Sequence, residues 1–183
     1  MNTFKFLLFA VIALTVFATS PLVAQQKRTS PHETISTKID GNRVIIVYGR
    51  PYSKDPKTGE VRKIWGSLVP WGQVWRLGSD EATLLITQRA ISIGGTLVPA
   101  GAYTLFLLPT EAKTQLIVSK QIGQWGLEYD QSQDFARITV TQEPAPKPAD
   151  QLTLSLTRNL SGGGALNIIW EETQFTVPIA LAK

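Results

Sequence analysis

Three arginines and three tryptophans crowd one stretch of this sequence: Arg50, Arg62, Trp65, Trp71, Trp75 and Arg76. A guanidinium is a planar fork of donors that grips a carboxylate or phosphate through two parallel hydrogen bonds. An indole face stacks on a sugar ring or holds a cation. Glu81 follows closely, and Tyr48 and Tyr103 add amphipathic rings on either side of the stretch. Arg50, Arg62, Trp71, Trp75, Arg76 and Glu81, with Tyr48 and Tyr103 nearby, are therefore the candidate ligand-binding set. The chemistry they suit is non-catalytic recognition of a small anionic or sugar-like ligand. A second account fits the same residues. Trp65, Leu68, Val69, Trp71, Val74 and Trp75 can cover an open end of a hydrophobic core, because each buried aromatic removes a large apolar area from water. The arginines would then pin the stretch through Asp80, Glu81 or Asp134. A pinned segment can also wall a pocket, so the two accounts overlap.

Other chemistries are restricted by inventory. The chain holds one histidine, His32, in a polar lead-in, and no cysteine. That leaves no thiolate nucleophile or zinc–thiolate site, and a serine–histidine relay would have to depend on His32. Carboxylates remain. A carboxylate-dependent hydrolase acting on envelope glycans or esters is the alternative function, with Asp80, Glu81, Asp130 and Asp134 as its candidates. Asp80 and Glu81 are adjacent, so in an extended chain they point opposite ways and do not make a catalytic pair alone. The run from Asp130 to Asp134 offers oxygen ligands suited to calcium but lacks the pattern and glycine of an EF-hand loop. Neither metal nor cofactor is called for. A protein partner, met through a sheet edge or the tryptophan stretch, is a third possibility.

The elements that must position these residues are strands. ISTKID, then Asp40-Gly41-Asn42, then RVIIVYG reads as a hairpin. ATLLIT, AISI, TLVPAG, AYTLFLLP, KTQLIVSK and FARITVTQ follow as short strands. PAPKPAD reads as a rigid extended connector. QLTLSLTR, ALNIIWEE and QFTVPIAL close the chain as three further strands, with Gly162-Gly163-Gly164 between the first two. Pro178 cannot donate to a ladder, which predicts an edge position or a bulge for the last strand. Only GQWGLEYDQSQDF has room for a turn or two of helix. Short strands with turn signals every 8–12 residues predict an all-β fold, an antiparallel β-sandwich of the immunoglobulin or prealbumin kind, with a jelly roll or closed barrel as the alternative. Between Arg50 and Glu81 lies a long irregular loop holding seven of the chain's prolines and glycines, and long irregular segments inside compact domains are often functional.

The ends place the protein. Lys5 is the only charge before Lys27, and an apolar run from Phe6 to about Ala18 is followed by small residues. This is the layout of a signal peptide spanning residues 1–25, cleaved after Ala24 or Gln25, and it predicts a periplasmic or secreted protein. The run is short for a membrane span, and no later stretch is long enough for one. Residues 26–183 then form one domain. Net charge falls by one, from +4 to +3, when the leader and its Lys5 are removed. That mild, dispersed basicity, with export, argues against nucleic acid.

Several short motifs occur in a fixed order: Tyr48-Gly49-Arg50-Pro51, Arg62 to Gly66, Leu68 to Gly72, Val74-Trp75-Arg76 with Gly78, and Glu81-Ala82-Thr83. Gly94-Gly95, Pro99 with Gly101 and Tyr103, Trp125-Gly126 with Tyr129, Asp134 with Arg137, Trp170-Glu171 with Thr173, and Pro178 complete the series. In this the chain resembles the bacterial exported family numbered 2911 among domains of unknown function, over roughly residues 30–180. The resemblance implies a β-rich protein of the cell envelope or exterior. It brings no established activity, so no catalytic residue is carried over. Gly49 stands where the family often has serine, Ser79-Asp80 where it often has alanine-asparagine, and an aromatic often found near Gln115 is absent.

Overall fold

The computed structural model describes residues 28–182. The segment read as a leader lies outside them. Ten strands run in order: β1 (His32–Ile39), β2 (Asn42–Gly49), β3 (Thr83–Thr87), β4 (Ile91–Ile93), β5 (Thr96–Val98), β6 (Gly101–Leu108), β7 (Gln115–Ser119), β8 (Asp134–Thr139), β9 (Thr141–Arg158) and β10 (Gly164–Leu181). They form two antiparallel sheets, one ordered β1-β2-β3-β6-β7-β8 and the other β5-β4-β10-β9. The sheets pack face to face and do not close into a barrel, so the sandwich stands and the closed barrel does not.

Turn chemistry sets the hairpin registers. Asp40 and Gly41 both adopt positive φ, 50° and 78°, which matches the twist of a two-residue hairpin loop and pairs Ile39 with Asn42. Gly94 and Gly95, at 55° and 87°, do the same for β4 and β5. The β1–β2 loop is also tied to the β9–β10 turn, where Gly163 donates its amide to Asp40 at 2.9 Å.

The inward faces share one core. Ile46, Leu85, Leu105 and Val118 from the larger sheet meet Leu154, Ile168, Phe175 and Val177 from the smaller. β6 and β7 are buried on both faces, because Phe106 of β6 and Ile117 of β7 point outward and pack with Val74, Leu108 and Tyr129. β6 therefore makes a second apolar contact on its outer side, with the loop residues Val74 and Tyr129.

Three expectations are corrected in the smaller sheet. PAPKPAD is not a connector but part of β9, where Pro144 lies opposite Thr173. β9 is an edge strand, so prolines are tolerated on it. ALNIIWEE and QFTVPIAL form one strand, β10, with register shifts around Glu171, which sits at φ 51°. β10 is not an edge strand either, since it lies between β4 and β9. Pro178 sits one residue outside the β4 ladder, which starts at Ile179, and its carbonyl accepts from Gly94 at 2.8 Å. The possible helix reduces to a 3-10 turn at Gln131–Gln133, capped by Asp130 accepting from the Ser132 amide. Among the described residues no helix is long and apolar enough to cross a membrane.

Between β2 and β3 the chain runs through residues 50–82 with no strand, held by scattered bridges: Tyr52 to Gln151, Lys54 to Val61, Trp65 to Val69, Trp75 to Leu107 and Glu81 to Trp125. This segment carries the candidate site.

Candidate functional site

Trp75 is the best-anchored residue of the irregular segment. Its amide donates to Leu107 at 2.7 Å and its carbonyl accepts from Leu107 at 2.8 Å. Its ring stacks on Trp170 of β10, with centroids 5.6 Å apart and planes 19° from parallel. Trp65 stands edge-on to both rings and to Phe175, at 5.9, 6.3 and 5.1 Å. Trp71 stacks on Trp65 at 6.2 Å, lying over Gly66, where a Cβ would meet the Trp71 Nε1 at 2.6 Å. The tryptophans thus cover the end of the sandwich in layers around Trp170, which is 1% exposed. The indole N–H groups of Trp65 and Trp170 have no partner.

The cover is not solid. A cavity of about 420 Å³ lies between the irregular segment and the loop after β7. Trp75 and Trp170 form part of its wall, with Leu68, Val69 and Val74, and with Arg62, Arg76, Ser79 and Asp80 as its polar lining. Tyr52, Leu68 and Leu127 stand exposed along it.

The three arginines behave differently. Arg50 is a pin: it pairs with Glu33 at 2.9 Å and donates to the Leu152 carbonyl and the Thr153 hydroxyl, both at 3.0 Å. It joins β2 to β9 and does not line the cavity. Arg62 lines the cavity and donates to the carbonyls of Ser53, at 3.3 Å, and Tyr52. Arg76 lines the cavity half-buried, and its one bond is from Nε to the Gly78 carbonyl at 3.2 Å. Among the described residues no carboxylate pairs with Arg62 or Arg76. Burial pulls the pKa of the Arg76 guanidinium below its ordinary value, and the neighbouring Asp80 opposes that shift.

The backbone beside Arg76 is strained into place. Leu77 and Asp80 adopt left-handed φ of 52° and 65°, unfavourable for a leucine in particular. The buried Thr83 hydroxyl donates to the Leu77 carbonyl at 2.8 Å, and the Gly126 amide to the Asp80 carbonyl at 3.0 Å. Gly126 also makes room for Arg76, since a Cβ there would sit 2.2 Å from the Arg76 Cδ. Gly49 and Ser79 lie close together: a Cβ on Gly49 would lie 2.5 Å from the Ser79 Oγ. That hydroxyl is buried and unpartnered.

The remaining candidates fall elsewhere. Glu81 is held by two hydrogen bonds from Arg28, one of 2.6 Å to Oε1, and this donation keeps its carboxyl below the usual range. It lines a second cavity of about 330 Å³ with Tyr48, His32 and Arg28. Tyr48 is 2% exposed, donates to Glu33 at 3.0 Å and accepts from the Leu154 amide at 2.9 Å. Tyr103 is buried against Phe135 and donates to the Pro99 carbonyl at 3.2 Å. Of the eight candidates, the structure brings Arg62, Trp75 and Arg76 to the 420 Å³ cavity, while Trp71 does not line it and stacks on Trp65.

His32 was legible only as part of a loose lead-in, yet it begins β1, opposite Gly49. Its Nε2 lies 3.3 Å from Asp80 and 3.5 Å from Glu81, and Arg28 reaches its Nδ1 at 2.8 Å. Both carboxylates meet the same ring nitrogen, so the group does not have the serine–histidine–carboxylate order of a nucleophilic relay. Asp134 accepts from Tyr129 at 2.8 Å and Arg137 at 2.9 Å, and Asp130 caps its turn. Among the described residues no three histidine, aspartate or glutamate side chains gather as metal ligands do.

No curated protein and no solved structure matches this chain. A family model does match, over residues 30–179, which takes in the cavity, its tryptophan wall and both sheets: the chain belongs to the family described as Protein of unknown function (DUF2911).

Proposed function

We propose that this is an exported, non-catalytic binding module, and that its ligand is a small anion or acidic sugar held in the cavity beside the irregular segment by Arg76 and Arg62 against the face of Trp75. One observation carries the reading. Arg76 is half-buried in the cavity wall with no carboxylate partner among the described residues, while Arg50, from the same segment, is fully paired. Holding a charge partly out of water without a counter-charge costs free energy, and a ligand carboxylate or phosphate would recover it through charge-assisted bonds. Export rests on the basic, apolar and small-residue order of residues 1–25, and N-terminal sequencing of protein from the cell envelope should start at Gln25 or Gln26.

Trp75 and Trp170 report on the cavity through their fluorescence. Titrating residues 26–183 with acetate, phosphate and glucuronate should shift their emission. Arg76→Ala should weaken the best of these by about tenfold or more, while Arg50→Ala should leave its affinity within about twofold. If no anion shifts the emission, or if Arg76→Ala binds as well as the parent chain, the reading fails.

A further inference from the structure

The cavity holds a second unanswered charge. In the neighbouring cavity, Arg28 and Glu81 satisfy each other through two hydrogen bonds. Arg137 and Asp134 pair at 2.9 Å. Of the charged groups that line the cavity beside the irregular segment, Arg62 is bonded to backbone carbonyls, and Arg76 and Asp80, opposite in sign and four residues apart, line it with no ion pair between them. His32 Nε2, 3.3 Å from the Asp80 Oδ2, is the closest cationic candidate, and it is charged only when protonated. That oxygen is closed off against His32, and it is the remaining part of the carboxylate, with about a quarter of the Asp80 side chain open, that a ligand can reach.

The two charges are kept apart by the backbone. Arg76 is laid across Gly126 and drawn to the Gly78 carbonyl. Asp80 is locked at φ 65°, its carbonyl bound to the Gly126 amide. Opposite charges free to move would close on each other. Here a tight glycine contact and a left-handed turn prevent it, and the Ser79 hydroxyl, 7% exposed by residue and unpartnered, lies between them in the chain. Beside Arg62, Thr29 and Ser30 the lining has an apolar side: Val69, Val74 and Trp75, with Leu68 and Tyr52 exposed at 44% and 37%. Apolar surface next to a polar end is the form of a site for an amphipathic small molecule.

From this juxtaposition we infer that the ligand is a zwitterion, an α-amino acid with an apolar side chain, whose carboxylate meets Arg76, whose ammonium meets Asp80, and whose side chain lies along Val69, Val74 and Trp75. The inference rests on the anion-binding reading above and narrows it. An ammonium answers the one carboxylate that a simple anion would leave unpaired or repel. A site that supplies both charges rejects analogues lacking either, because its own partly desolvated charge is then left without a partner.

The test uses residues 26–183, tryptophan fluorescence, and three probes: L-phenylalanine, N-acetyl-L-phenylalanine and L-phenylalanine methyl ester. The free amino acid should bind, and each blocked form should bind at least about tenfold more weakly. Asp80→Asn should bring the free and N-acetylated forms within about twofold of each other. Asparagine tolerates the left-handed conformation, so that variant should keep its fold. N-acetyl-L-phenylalanine binding as tightly as the free amino acid overturns the zwitterion and leaves the anion site standing. So does acetate or glucuronate binding where no apolar amino acid does at millimolar concentration. The methyl ester binding as tightly as the free acid removes the carboxylate from Arg76, and both readings fall with it.

Discussion

Gly126 decides where Arg76 can go. A methyl group there would lie 2.2 Å from the Arg76 Cδ and 2.7 Å from the Asp80 carbonyl oxygen. The first contact is with a flexible side chain and can be relieved; the second is with backbone and cannot be relieved cheaply. Gly126→Ala should therefore cost about 1–3 kcal/mol of stability in urea unfolding and should weaken anion binding by displacing the guanidinium. In an Arg76→Ala background the same substitution should cost measurably less, and additive costs would show that the two do not touch. From spacing alone, Arg50, Arg62 and Arg76 look alike. They differ in what reaches them from elsewhere: Glu33 and the Leu152 carbonyl for Arg50, backbone carbonyls alone for the other two. Those partners come from distant strands, so no local pattern distinguishes a pin from a free cation. Glu81 misleads for the same reason, since its partner Arg28 is fifty-three positions away.

At the scale of elements, legibility followed turn chemistry. The Asp40-Gly41 and Gly94-Gly95 hairpins were readable because only such residues accept positive φ at both loop positions. The first half of β9 was not, because prolines read as a connector while an edge strand tolerates them, and the outward Phe106 was not, because its cover comes from loop residues without periodicity. The irregular segment was legible as irregular, but its internal gradient was not. Trp75 is bonded both ways to Leu107 and packed on Trp170, whereas residues 55–61 are mostly exposed and close on themselves through Asp55. Amide exchange should follow that gradient. The amides of Gly59 and Arg62 should exchange through local opening, orders of magnitude faster than that of Trp75, which should approach the protection of the β6 amides. Equal protection across the segment would mean that it opens as one unit and that the cavity wall moves with it.

The whole molecule depends on ties between its sheets, and one of them has a readable pH signature. Tyr48 of β2 accepts from the Leu154 amide of β9 at 2.9 Å and donates to Glu33, with Arg50 bonded to Leu152 and Thr153 alongside. Burial pushes the Tyr48 hydroxyl up to about 12. A tyrosine in the unfolded chain titrates near 10. Between those values the folded chain holds a proton that the unfolded chain has lost, so stability is complete below pH about 10 and falls as pH rises toward about 12. A difference of that size between the folded and unfolded chains corresponds to about 2–3 kcal/mol lost across the window. Tyr129, also pushed up to about 12, adds a loss of the same sign. Tyr48→Phe leaves the Leu154 amide without its partner and should be less stable at neutral pH by about 1–3 kcal/mol. It should also lose less stability than the parent between pH 10 and 12, so the two unfolding curves should converge as the solution becomes alkaline. Lysine deprotonation and Tyr129 act equally on both chains and cancel in the difference. Parallel curves would show that the Tyr48 hydroxyl titrates alike in the folded and unfolded chains, and the sheets would then be held at this point by Arg50 alone.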